Sequence, residues 1–135
     1  MPDRKVKTLL ELNDAIAGIT SVLNPPGDGM SAVDKEQEIW RAYLMLEKNV
    51  ALMRLELGVE NPGEFIKDES KSREPSRYLR DALSALAGGI RLLDGGESAR
   101  GWRELRLARN DLRFYLREVR RLRLRTARSK KPAPS

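Results

Sequence analysis

The chain has 135 residues, 40% apolar and 34% charged, with a net charge of +6 and neither cysteine nor histidine. That length suits one domain with a sizeable core. The missing residue types exclude disulfides, thiolate zinc sites, Ser-His nucleophilic chemistry and the Glu-x-x-His pairs of di-iron bundles.

The first predicted element runs from about Asp3 to Leu23. Val6, Leu9, Leu12, Ile16, Ile19 and Leu23 step by three and four, the apolar stripe of a helix. "NPPGDG" then ends it, because two prolines cannot continue the hydrogen-bond ladder. The opening "MPDRKVKTLLELND" turns acidic early and has no secretory apolar block, so a cytoplasmic location is expected. No run in the chain reaches the ~18 apolar residues of a membrane span, and no membrane contact is expected.

The second element starts after Ser31, with Asp34 three residues on as an N-terminal signal. Ile39, Tyr43, Leu46, Val50, Met53 and Leu57 form an unbroken stripe, and Gly58 stands where a left-handed cap belongs. Trp40, beside that stripe, is expected in the core. Glu36, Glu38, Glu47 and Glu56 read as a solvated flank, with Glu47 near Arg41 or Lys48. Residues 59–75 form a polar connector, in which Asn61-Pro62 could open one short turn that tucks in Phe65 and Ile66.

The third element spans about Pro75 to Asp94, with Leu79, Leu83, Leu86, Ile90 and Leu93 as its stripe and "DGG" as its stop. Gly88 and Gly89 have the wrong spacing for a phosphate loop and read as a close helix approach. The fourth element runs from about Ser98 to Ala127. Trp102, Leu105, Ala108, Leu112, Tyr115, Val119 and Leu122 make its inner face.

Together these predict an all-α fold: an antiparallel bundle of four main helices, or a long helical hairpin completed by dimerisation. The domain is read as residues 1–127, followed by a flexible basic tail, 128–135.

Charge is uneven. From Arg100 onward there are eleven Arg and two Lys against Glu104, Asp111 and Glu118, a net of +10, which leaves −4 for the first 99 residues. Arg103, Arg106, Arg109, Arg113, Arg117, Arg120 and Arg121 are expected opposite the core of the last helix, continued by Arg128, Lys130 and Lys131. The three carboxylates recur every seven residues, off that row. Guanidinium groups one turn apart can track a phosphate backbone, with bidentate bonds and a permanent charge. The expected function is therefore non-catalytic nucleic-acid association, as in a small subunit of a nucleoprotein complex. The alternative is a protein–protein module whose basic helix docks an acidic partner. Leu107, Phe114 and Leu124 lie off the inner face and are expected at a subunit contact. No cofactor and no metal are expected.

"RNDLRFY", Arg109 to Tyr115, resembles the Arg-Asn-x-x-x-His signature of HEPN-type helical ribonucleases. That family's activity depends on a histidine, and this chain has none, so the resemblance implies no ribonuclease activity here.

Overall fold

A computed structural model describes residues 3–25, 27, 29–58 and 74–129. It is all-α: helices α1 (Asp3–Leu23), α2 (Ala32–Leu57), α3 (Pro75–Asp94) and α4 (Ser98–Ser129), with no strand among the described residues. The predicted spans agree to within a residue, except that α4 runs two residues past Ala127. The proposed turn at Asn61-Pro62, with Phe65 and Ile66, lies outside the described residues.

The helix ends follow local chemistry. Ser31 is the N-cap of α2, and its Oγ accepts from the Asp34 N–H at 3.0 Å. Gly58 closes α2 at φ +64°, in the left-handed region. After α3, the Glu97 N–H donates to the Leu92 carbonyl and the Gly96 N–H to the Leu93 carbonyl, at 2.8 and 3.1 Å. This is a Schellman stop with Gly96 at φ +85°.

Each helix buries one stripe. Leu12 and Ile19 of α1, Ile39 and Leu46 of α2, Leu79 and Leu86 of α3, and Leu105 and Leu112 of α4 are fully buried. Val6 is exposed, unlike the rest of the predicted α1 stripe. Each step of three residues falls 60° short of a full turn, so the two steps from Leu12 back to Val6 carry it about 120° off the core line. Trp40 is also exposed, and the core expectation is corrected. It sits one residue past buried Ile39, hence about 100° around α2, with its ring edge-to-face with Tyr43, 5.5 Å away between centroids.

Helices α3 and α4 make the closest approach, around Gly89 and Gly101. A methyl group on Gly101 would stand 2.9 Å from Leu93 Cγ and 3.1 Å from the Gly89 carbonyl oxygen. The close approach expected at Gly88-Gly89 is thus made by Gly89, and Gly101 is its counterpart. Helices α2 and α4 are joined by a buried bond, in which Trp102 Nε1 donates to the Val50 carbonyl at 3.0 Å. Between α1 and α2, Glu11 accepts from Lys48 Nζ and, at 3.4 Å, from buried Asn49.

Candidate functional site

Helix α4 supplies the site. Its core line ends at Val119, which is half-buried; every residue from Arg120 to Ala127 is exposed. Leu122, expected on the inner face, is among the exposed residues. The cause is the length of its neighbour. Helix α3 begins at Pro75, and Tyr78 already packs on Phe114, with ring centroids 5.9 Å apart. There is little of α3 left to cover the following turns. The α4 backbone continues ten residues past Val119, about 15 Å at 1.5 Å per residue.

The predicted arginines spread over about 120° of helix surface rather than one line. Arg103, Arg113 and Arg120 are exposed and make no ion pair among the described residues. The Arg106 guanidinium lies 4.9 Å from the centre of the Trp102 ring, and that of Arg117 lies 5.0 Å from the Phe114 ring, both in cation–π range. Arg109 is half-buried; it donates to Glu47 Oε1 at 3.0 Å and to Asn110 Oδ1 at 3.3 Å. Arg121 holds Glu118 through two nitrogens. The side chain of Arg128, with Lys130 and Lys131, lies outside the described residues.

Two carboxylates from α2 therefore reach across to α4. Glu47 meets Arg109 and also accepts from the Tyr43 hydroxyl at 2.7 Å, whereas Lys48 turns to α1. Glu36 accepts from Arg123 Nη1 at 2.7 Å. Burial, reinforced by the neighbouring Glu47, pushes the Tyr43 phenol above its ordinary pKa. Arg123 and Arg125 stand outside the predicted row, yet both are exposed on the projecting turns. The "RRLRLR" run at 120–125 was the available signal.

Glu118 is the buried member of its pair. The hydrogen bond from Arg121 holds its carboxyl below the ordinary value of 4.5, outweighing the upward push of burial. A depressed carboxylate stabilises the fold above its unfolded pKa, and that contribution disappears as pH falls through the folded value. Glu11, held down chiefly by Lys48, acts with the same sign. Thermal midpoints measured from pH 6 to pH 2.5 are expected to fall below about pH 4.5. Glu118→Gln should lower the plateau and flatten that acid limb; an unchanged limb would mean that the pair carries no linkage.

Of the expected interface residues, Leu107 and Leu124 are exposed, while Phe114 is half-buried against Tyr78. Among the described residues no group of three or more Asp or Glu could hold a metal ion, and no helix is long and apolar enough to cross a membrane. No family model, curated protein or solved structure matches this chain.

Proposed function

We propose that this protein associates with nucleic acid without catalysing a reaction on it, gripping the phosphate backbone through α4. One observation carries the reading: the projecting turns of α4 are exposed on every side and carry Arg120, Arg121, Arg123 and Arg125 within six residues. Arg103 and Arg113 extend the charge along the packed part of the helix. Glu47, Glu36 and Glu118 meet part of this charge, whereas Arg103, Arg113 and Arg120 make no ion pair among the described residues. The remainder repels itself and favours an external polyanion. Arginine suits phosphate oxygens through its planar, paired donors.

The antiparallel arrangement belongs to this reading, since it sets which helix end is left uncovered. It is supported by the order of contacts. Val50 pairs with Trp102, Glu47 with Arg109 and Glu36 with Arg123, so α2 positions fall as α4 positions rise. A non-catalytic role is supported by residue types: with no histidine and no cysteine, the chain lacks the side chains that most often act as base or nucleophile near neutral pH.

The test is affinity for a generic duplex and a generic single strand, by fluorescence anisotropy across a salt series. Four to six phosphate contacts predict a slope of log affinity against log salt of about −4 to −5 on duplex DNA. No binding at low salt, or a slope shallower than about −1, would defeat the reading. Leu122 and Leu124, exposed between these arginines, favour a second reading: an acidic protein that uses them as apolar anchors. It predicts a defined complex that survives salt better than a purely electrostatic one.

A further inference from the structure

Helix α2 has two apolar faces, and the bundle buries only one. On the other, Leu55 is 79% exposed, Val33 59%, Leu44 58% and Trp40 45%. With exposed Ala51 they fall within a sector of about 60°, on the side of α2 away from the Leu46 line. The only other side chain in that sector is Gln37, so it holds no charge on a chain that is 34% charged. Val33, Leu44 and Leu55 are eleven residues apart. Eleven residues make three whole turns and about 20° more, so they line up within about 40° along roughly 33 Å of helix.

The spacing is symmetric about Leu44. The Val33, Leu44 and Leu55 line reads alike in both directions, so it can meet its own copy antiparallel, as a two-fold interface requires. The area agrees. The exposed apolar side chains amount to on the order of 500 Å², a size at which a surface patch is commonly functional. A standard interface takes about 800 Å² from each partner, of which about 60% is apolar, or close to the same figure.

We propose that two copies of this chain pair through the outward faces of α2, antiparallel, with the two-fold axis at Leu44. Val33 then faces Leu55 of the second copy, Leu44 faces Leu44, and Gln37 faces Ala51. At one edge Glu36, already answered by Arg123 within its own chain, comes opposite Arg54 of the second copy. At the other edge Arg41 approaches Lys48, whose charge is already answered by Glu11 within its own chain. The opposed helix dipoles also favour the antiparallel sense. The arginine groups of α4 take no part in the apolar contact, so dimerisation and nucleic-acid binding stand or fall separately.

Sedimentation equilibrium on the full chain, without nucleic acid, is the first experiment. The 15.3 kDa chain is expected at twice its mass in the micromolar range. Leu44→Arg puts two like charges at the axis and should weaken association at least ~100-fold. Because Leu44 is exposed, helical circular dichroism should be retained. The chain has no cysteine, which permits a register test with a short bis-maleimide. Val33→Cys chains should cross-link to Leu55→Cys chains in a mixture, and neither should cross-link efficiently to itself. A native protein that stays monomeric up to about 200 µM, far above the range of specific interfaces, overturns the proposal. So does a dimer unaffected by Leu44→Arg, or Val33→Cys cross-linking to itself.

Discussion

Gly101→Val is expected to lower the thermal unfolding midpoint by about 10 °C, corresponding to roughly 3 kcal/mol in a domain of this size. The reason is geometric. The first added carbon would stand 2.9 and 3.0 Å from Leu93 Cγ and Cδ2, and 3.1 Å from the Gly89 carbonyl oxygen. Leu93 is buried and has little room to turn away. The carbonyl belongs to the α3 backbone, so relief requires the two helices to separate. Separation would loosen Leu86, Leu105 and Ala108, which are completely buried. Valine adds two further methyl groups to the same clash. Gly88→Ala is the matched control. A methyl there meets only Glu104 Oε1, at 3.7 Å, an ordinary contact. Alanine is also the better helix former by up to ~1 kcal/mol, so that variant should be neutral or slightly stabilising. Urea or thermal denaturation separates the two cases. A Gly101→Val midpoint within about 2 °C of the native value would mean that the helices part freely there.

Reversing Arg113, Arg117 and Arg120 to Glu is expected to reduce nucleic-acid affinity by at least ~1000-fold at low salt, and to flatten the salt slope by about 3. Each change removes one cation and adds one anion on an exposed surface. Arg113 and Arg120 make no ion pair among the described residues, so their loss leaves no buried charge behind. Arg117 gives up its place over the Phe114 ring, a contact worth about 0.5–1 kcal/mol at an exposed site, and its attraction for Glu118, so circular dichroism must show the helix retained. The control reverses Arg77, Arg80 and Arg91, which are exposed on α3. It makes the same change in net charge, and it should cost far less affinity if the contact is local to α4. Equal losses from the two triples would mean that only overall charge matters. Unchanged affinity in the first triple would put the contact elsewhere.

The internal carboxylates modify this picture. Glu36 on Arg123 and Glu47 on Arg109 compete with any phosphate for the same guanidinium groups. Arg109 is half-buried and tied to two partners, so it acts as a clamp between α2 and α4. Arg123 is more exposed and lies at the root of the projecting turns. Arg103, Arg113 and Arg120, which make no ion pair among the described residues, are open to an external anion.

Helix spans were legible in the residues because their causes are local. Ser31 with Asp34, the Gly58 cap and the "DGG" stop act within a few residues, through the same bonds that define a helix end. The main apolar stripes were legible for the same reason, apart from the ends. Val6 and Leu122 continue the pattern, but neither is buried: Val6 lies about 120° around α1 from the core line, and Leu122 lies past the turns that α3 covers.

The site was legible in composition and less so in detail. A basic last helix follows directly from counting. Which of its arginines are engaged depends on Glu47, 62 residues from Arg109, and on Glu36, 87 residues from Arg123. No spacing rule reaches that far. The outward stripe of α2 was present as an eleven-residue recurrence, but the stronger stripe through Leu46 masked it. An aromatic beside a stripe is ordinarily buried, but Trp40 is exposed because the bundle lies on the other side of α2.

By itself the amino-acid sequence determined the four helices of the described residues, where each begins and stops, and a concentration of positive charge in the last. Those properties arise from hydrogen bonds and side-chain periodicity over about four residues. Only the packed structure decided that Gly101 faces Gly89, that α4 outruns its neighbours, and that one face of α2 is left uncovered. These depend on how helices distant in the chain share space, and packing forces act between surfaces rather than along the backbone.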